Sequence, residues 1–305
     1  MTARSLLEHT NTLSECRQSA KCTHNLSEVV FMALCAMMCG FDSWSEIALF
    51  AEERERWFRR WLTLPGGIPS HDTFNRIFAI LPASELKRVF QGWLSDLLEN
   101  RTISGQIAVD GKALRSTAKG RGKCSATHMV NAWSTEMGLC LGQCKVKTKS
   151  NEGKAIPELL EMLELGGCLV SIDAAGTHLD NAEIIVRKGG DYLFAAKDNQ
   201  PNLTAEITAQ FEALWQAVEV DVPGPGFAET HDSGHGRTEH RRCWVLPVTA
   251  AMPLCRDWRA KTIVAVQAER SDGKQGYDFV RFYLTSRAMD ADTALAATRS
   301  HWAHF

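Results

Sequence analysis

Two aspartates that each follow a short apolar stretch are the residues best suited to chemistry. Asp110 comes directly after Ile107 to Val109, and Asp173 comes directly after Cys168 to Ile172. Both stretches have the length and composition of buried strands, whose neighbouring ends would bring the two carboxylates together. Adjacent carboxylates repel each other unless cations offset their charge, and hard divalent ions prefer oxygen ligands. The pair therefore predicts a site for divalent metal ions.

Two such ions about 4 Å apart would activate a water or hydroxyl nucleophile and stabilise the leaving oxygen of a phosphodiester. A structural alternative stays open, because an aspartate after a strand often caps the loop that follows it. The residue types alone do not decide between these interpretations.

Basic residues are concentrated around the first aspartate. The formal net charge is −2, but the segment from Ile107 to Lys154 holds nine lysines and arginines against three acidic residues. Lysines and arginines can contact phosphates without reading base sequence. We expect DNA contacts from Lys112, Arg115, Lys145, Lys149 and from Lys197, which lies at a later strand end. The alternative is a solvated loop with scattered cations.

The elements that must position these residues fall into two parts. Residues 26–100 have helical periodicity, with capping patterns at Ser43 and Ser70, after an N-terminal extension over 1–25. Residues 101–305 alternate short apolar runs with helical patterns, which is typical of an α/β domain. Within it, the pattern predicts a helix from Pro201 and then several strands up to about residue 286, and a last helix starts near Asp290.

The composition excludes several classes of protein. The chain has 305 residues, 45% of them hydrophobic and 23% charged, as in ordinary globular proteins. Its longest apolar run, Val29 to Cys39, is too short to span a bilayer, and the N-terminus lacks the apolar stretch of a signal peptide. Ten scattered cysteines without a Cys-x-x-Cys pair favour a reducing compartment over disulfides or zinc. We therefore expect a cytoplasmic protein that does not bind a membrane.

Several ordered motifs resemble the bacterial ISAs-type insertion-sequence transposases, which include the H-repeat-associated proteins. The similar segments run from Leu26 to Trp302 and are Gly66 to Arg76, Asp110-Gly111-Lys112-Ala113-Leu114-Arg115, Lys149 to Glu152, Gly189-Gly190-Asp191-Tyr192, Asn199-Gln200, His235 to Glu239 and Arg299-Ser300-His301-Trp302.

This resemblance implies an RNase H-like catalytic domain with an Asp-Asp-Glu triad and a β-rich insertion over residues 201–286, preceded by an all-helical associated domain. Asp110 would be the first acid and Asp173 the second, both binding Mg²⁺ or Mn²⁺. Water would cleave a DNA strand at the element end, and the freed 3′ hydroxyl would attack target DNA. The implied partners are the element ends, the target DNA and further copies of the chain, at the bacterial nucleoid. Arg237, in one of the later motifs, is a further expected DNA contact.

The third acid is where this sequence departs from the family. A glutamate is expected shortly after His301-Trp302, and Phe305 stands at that position. We therefore expect a catalytic domain truncated in its last helix and of doubtful activity. Glu239 is the nearest substitute acid, although its place in the insertion favours another role. A non-catalytic DNA-binding remnant and an RNase H-like nuclease are the alternative functions.

Overall fold

The structure is a computed structural model that describes residues 3–17, 22–98, 104–114, 127–146, 152–217, 226–234, 237–271 and 276–302. The chain divides into two compact units, Met1–Thr102 and Ile103–Phe305.

The first unit is built of helices around a buried central one. Its described helices are α1 (Ala3–Thr10), α2 (Leu26–Met38), α3 (Trp44–Glu53), α4 (Glu55–Phe58), α5 (His71–Ile80) and α6 (Ala83–Leu98). Nine side chains of α2 are buried, because this helix is apolar on almost every face and the other helices pack around it. The helical prediction for this part of the chain is confirmed.

Serine side chains begin two of these helices as predicted. The Ser43 hydroxyl accepts a hydrogen bond from the Glu46 amide while the Glu46 carboxylate accepts one from the Ser43 amide, which completes a capping box. The Ser70 hydroxyl accepts a hydrogen bond from the Thr73 amide at the start of α5. The helix that begins after Ser43 ends at Glu53, and α4 follows as a separate turn.

Helix α1 lies in the segment that the sequence predicted to be an extension. Its Leu6 is only 2% exposed and belongs to the same core as α2. The Ser5 hydroxyl and the His9 ring each bond the Asp96 carboxylate in α6, at 2.9 and 2.7 Å. The helical unit thus begins before residue 26, because α1 has an apolar side chain that the core buries.

The buried carboxylate of Glu28 in α2 stabilises the loop after α4. It accepts hydrogen bonds from the Thr63 amide and hydroxyl, both at 2.8 Å, and from the Leu64 amide at 3.2 Å. Leu64 has a positive φ of 46°, which non-glycine residues rarely adopt. The carboxylate thus satisfies the backbone donors of a strained turn.

The second unit contains a nine-stranded mixed sheet. Its strands are β1 (Gln106–Leu114), β2 (Thr127–Ser134), β3 (Leu139–Val146), β4 (Leu169–Ile172), β5 (Asp191–Ala196), β6 (Phe227–Gly234), β7 (Arg237–Pro247), β8 (Thr262–Ser271) and β9 (Gly276–Thr285). They lie in the order β3-β2-β1-β4-β5-β9-β8-β7-β6. Strands β1 to β3 form an antiparallel meander, and β4 and β5 continue parallel to β1. This arrangement confirms the predicted α/β fold of the unit.

The predicted insertion extends the same sheet. Strand β9 pairs antiparallel with β5, and β8, β7 and β6 follow in turn. The sequence pattern does not predict strand β6 or the first half of β7. Their residues are largely polar and lack an apolar run, so the cross-strand hydrogen bonds of the hairpin decide their conformation.

Helices cover both faces of the sheet. The described helices of this unit are α7 (Glu152–Met162), α8 (Leu179–Arg187), α9 (Pro201–Ala217), α10 (Pro253–Asp257) and α11 (Ala291–Ser300). Helix α7 packs on β2 and β3, where Leu159 lies against Gly142. Helix α11 packs on the opposite face, where the Gln106 amide donates to the Ala297 carbonyl at 2.9 Å. No helix in the described part of the chain is long and apolar enough to cross a bilayer.

Replacing Glu28 with alanine should destabilise the helical unit. The substitution leaves the Thr63 and Leu64 amides without their acceptor, so we expect a loss of roughly 2–4 kcal/mol in the free energy of unfolding. Urea denaturation followed by tryptophan fluorescence measures this loss. Glu52→Ala, on the exposed side of α3, is the control and should change stability by less than about 0.5 kcal/mol. Equal effects of the two substitutions would contradict this role for Glu28.

Candidate active site

The parallel pairing of β1 with β4 places the two predicted acids side by side. The last paired positions are Val109 and Ile172. The residues that follow them in the sequence are Asp110 and Asp173. Adjacent strands are about 4.8 Å apart, and residues in register on parallel strands direct their side chains to the same face. Both aspartates are partly buried. They therefore share one face at the carboxyl end of the parallel strands.

Strand β1 is longer than the sequence predicted. Asp110 does not end the strand, because β1 continues to Leu114 and its residues remain paired with β2, including Asp110 with Asn131. Only the pairing with β4 stops at Val109. Asp110 thus lies on a hydrogen-bonded strand, which holds its backbone more firmly than a loop would.

Asp173 is the N-cap of a short 3-10 turn, Ala174–Gly176. Its Oδ1 accepts a hydrogen bond from the Gly176 amide at 3.3 Å. One carboxylate oxygen of Asp173 therefore caps the turn, as the structural interpretation of this residue predicts. The turn packs closely on the helix layer, since a Cβ at Gly176 would collide with Ile172 and would lie 2.7 Å from Ile156 Cδ1.

The side chains after β5 stabilise this turn. Asn199 Nδ2 donates to the Ala174 carbonyl at 2.6 Å, and Gln200 Nε2 donates to the Thr177 carbonyl at 3.1 Å. The Thr177 hydroxyl in turn donates to the Ala195 carbonyl at 2.8 Å. The Asn199-Gln200 motif thus orients the backbone that carries Asp173. The sequence showed the motif but not this role.

A line of three buried, hydrogen-bonded side chains, Gln106, Ser171 and His301, lies on the same face of the sheet as the two aspartates. Gln106 Nε2 donates to Ser171 Oγ at 2.7 Å, and Ser171 Oγ lies 2.9 Å from His301 Nδ1. His301, at the end of α11, is only 5% exposed, and burial lowers its pKa to about 4. The imidazole is therefore neutral at pH 7. This line ties α11 to both strands that carry the acids.

The predicted DNA-binding residues occupy different places. Lys145 is exposed on β3, at one edge of the sheet. Lys197 is exposed just after β5, at the carboxyl end of the parallel strands, where Asp173 also lies. Lys112 lies in β1 and Arg237 begins β7. Arg115 and Lys149 lie outside the described residues.

Glu239, the substitute third acid, bonds arginines in the insertion. Its carboxylate accepts from Arg270 Nε at 2.6 Å and from Arg241 Nη2 at 2.9 Å. Burial raises the pKa of this carboxyl, but the two arginines lower it further, so the pKa lies below its ordinary value. Glu239 is on β7, five strands away from β1 in the sheet order. Position 305, where the resemblance implies a glutamate, lies outside the described residues.

An arginine-lined cleft beside the end of α11 was not predicted. Its cations come from three strands and the helix, and they are Arg241, Arg270, Arg281 and Arg299. The guanidinium of Arg281 lies 4.6 Å from the ring centroid of Phe279 and 5.6 Å from that of Trp302, which is 46% exposed. Four arginines against the carboxylates of Glu239 and Asp232 leave the described lining positively charged. Such a cleft suits phosphates and planar rings.

Acidification should destabilise the second unit through His301. Unfolded chains bind a proton on histidine near pH 6.5, whereas folded His301 does so only near pH 4, so stability falls as the pH drops through this interval. His301→Gln should reduce the loss in free energy of unfolding across this pH interval by up to about 3 kcal/mol. Denaturation curves between pH 4 and 7 measure it, with the exposed His178→Gln as control. Identical slopes in wild type and His301→Gln would refute the assignment.

A methyl group at Gly176 should disturb the turn that carries Asp173. We expect Gly176→Ala to cost roughly 1–3 kcal/mol of stability, because Ile172 and Ile156 must move to admit it. Thermal denaturation compares it with Gly166→Ala, whose added Cβ would meet only ordinary contacts, the nearest at 3.9 Å. A Gly176→Ala protein as stable as the Gly166→Ala protein would show that the turn tolerates a side chain.

Comparisons with known proteins agree with this architecture. Two family models match, the DDE_Tnp_1-associated domain over residues 7–94 and the transposase DDE domain over residues 102–302. The chain is 36% identical over 311 residues to "Putative transposase YncI" of Escherichia coli O157:H7, covering 99% of this chain and 77% of that protein. It is 32% identical over 308 residues to "H repeat-associated putative transposase YhhI" of E. coli K12, covering 99% and 80%.

Among solved structures, a cryo-EM structure of the piggyBac transposase synaptic complex with hairpin DNA is a distant neighbour, with 9% identity and a TM-score of 0.43. The match covers 98% of this chain, which spans 63% of the length of that one. The two family models together account for almost all of the sequence. The chain belongs to the DDE transposase family, in which its second unit is the transposase DDE domain.

Proposed function

We propose that this protein cleaves DNA strands at the ends of an insertion sequence and joins them to target DNA, using Asp110 and Asp173 to hold Mg²⁺ or Mn²⁺. The observation that carries the proposal is the register of β1 with β4, which makes the two aspartates neighbours on one face. Family membership supports the reaction class.

The donor set suits a hard divalent ion. Both residues offer carboxylate oxygens, the ligands that Mg²⁺ and Mn²⁺ accept, and only one oxygen of Asp173 is bonded to the Gly176 amide. Divalent ions bound there would activate the attacking water or 3′ hydroxyl and stabilise the leaving oxygen. The hydrogen-bonded backbone of β1 and the turn after β4 keep the carboxylates in place during these steps.

Other residues would bind the DNA. Lys197 lies at the same sheet edge as Asp173, and the arginine-lined cleft offers guanidinium groups next to the exposed ring of Trp302. Lys112, Arg115, Lys145, Lys149 and Arg237 remain predicted phosphate contacts. These contacts would position the strand without reading its sequence.

A second candidate function is DNA binding without cleavage. Phe305 favours it, since a phenyl ring at the position of the third acid cannot bind a metal ion. The two aspartates would then contribute little to the function, while the basic surfaces would still bind the DNA at the ends of the element. A nuclease that only hydrolyses DNA is the third alternative.

Replacing either aspartate by asparagine should abolish the reaction. The neutral amide cannot offset the charge of divalent ions, so we expect cleavage to fall by about 10²-fold or more for Asp110→Asn and for Asp173→Asn. The assay incubates a labelled DNA fragment carrying one end of the encoding element with protein, supercoiled target DNA and Mg²⁺ or Mn²⁺. Asp257→Asn, at an exposed acid at the end of α10, is the matched control and should keep wild-type activity.

The products separate the candidate functions. Joined end and target molecules support transposase activity, whereas nicks without joining indicate a nuclease. A shifted band in gel electrophoresis without any cleavage by the wild-type protein would favour the binding function. Full cleavage by Asp110→Asn would overturn the proposed site.

A further inference from the structure

The histidine cluster, which we define as Glu229, His231 and His240, lies on the insertion strands away from the two aspartates. Glu229 and His231 are two residues apart on β6 and therefore share a face, and His240 on β7 is the cross-strand partner of His231. On β8, Glu269 is the partner of His240. The register of three antiparallel strands thus aligns two imidazoles between two carboxylates.

The ligand atoms of the histidine cluster lie close together. Glu229 Oε2 lies 2.9 Å from His240 Nε2 and 3.9 Å from His231 Nε2. One ligand atom from each residue lies within 4.8 Å of the others. Ligands bound to zinc at about 2.0–2.2 Å are roughly 3.3–3.6 Å apart, so small side-chain rotations would complete the site.

The two imidazole rings lie in direct contact next to the Glu229 carboxylate. They stack with centroids 3.9 Å apart and an angle of 14° between their planes. Since the lone pair of an imidazole nitrogen lies in the plane of its ring, one ring must rotate out of this stack before both nitrogens face the same ion. After that rotation, one divalent cation would bind a nitrogen from each ring together with the Glu229 carboxylate.

A carboxylate also lies near the second ring nitrogen of His240. Its Nδ1 is 3.9 Å from Glu269 Oε2, on the ring side opposite Glu229, so a small rotation would bring the two into hydrogen-bond distance. Arg242, the cross-strand partner of Glu229, donates from Nη1 to Glu269 Oε1 at 3.2 Å. A carboxylate at the second nitrogen of a ligand histidine orients the ring and raises its basicity.

We propose that Glu229, His231 and His240 bind Zn²⁺ or a similar ion such as Co²⁺ or Ni²⁺. Imidazole nitrogens select these borderline ions over Mg²⁺, so this site differs in chemistry from the aspartate pair. Three protein ligands leave a fourth position for water. Since the ligands come from both strands of the β6–β7 hairpin, the bound ion would stabilise this hairpin.

Cobalt titration of the untagged, chelator-treated full chain under reducing conditions tests the proposal. Co²⁺ bound by nitrogen and oxygen at a four-coordinate site gives visible d–d bands without the near-ultraviolet charge-transfer band of thiolates. We expect such bands with one equivalent of Co²⁺, their displacement by Zn²⁺, and a rise in melting temperature with Zn²⁺.

Variants identify the ligands. His231→Ala and His240→Ala should each weaken Co²⁺ binding more than about 100-fold, and Glu269→Gln, as the outer carboxylate, about 10-fold. His71→Ala is the matched control. His71 is exposed and its Nε2 lies 3.5 Å from Asp72 Oδ1, but within the described part of the chain it belongs to no group of three possible metal ligands. His231 is itself 69% exposed, so its loss should leave the fold intact.

Three outcomes would overturn the proposal. These are the absence of visible bands in the wild type, bands that persist in His231→Ala, and bands accompanied by thiolate charge transfer. Asp110→Asn should leave the bands unchanged. This site and the proposed transposase reaction can therefore fail independently of each other.

Discussion

Two carboxylates held next to each other are the constraint that the rest of the second unit must accommodate. The parallel register of β1 and β4 places Asp110 beside Asp173, and their repulsion opposes folding wherever no cation offsets it. The surrounding structure compensates with backbone hydrogen bonds. Strand β1 continues along β2, and the turn after β4 bonds to Asn199 and Gln200. The acids thus lie on a frame that does not depend on them.

Helix α11 couples this frame to the rest of the sheet. The line Gln106, Ser171 and His301 joins the helix to the strands of both acids, and the neutral state of His301 avoids a buried charge. On its other side, Arg299 bonds Asp232 of β6 at 2.6 Å. A single helix therefore contacts the strands that carry the two aspartates and the insertion strands, so that the arginine-lined cleft keeps a defined place relative to the aspartates.

The extension of the sheet by β6 to β9 creates two surfaces of different chemistry. The face under α11 carries the arginine-lined cleft, and the opposite face carries the histidine cluster. The period of two along each strand separates them, since Glu239 and Arg241 alternate with His240 and Arg242 on β7. The first surface has the positive charge that suits phosphates. The second has the imidazole and carboxylate groups that borderline metal ions accept.

Much of the fold was determined by the sequence alone. The apolar pattern of α2, the caps at Ser43 and Ser70 and the buried strands before the two aspartates are local signals, and short apolar runs sufficed to predict the α/β unit. The pair Asp110 and Asp173 could be predicted because each follows such a run. Motif resemblance then supplied the family.

Only the tertiary structure decided which distant residues meet. Strand β6 is polar and carries no local signal, so its register with β7 alone aligns His231 with His240. The arginines of the cleft lie far apart in the sequence, and the partners of Glu239 differ from those of a catalytic acid. Cross-strand pairing and helix docking set these contacts, because they depend on hydrogen bonds and packing between segments whose separation no local pattern encodes.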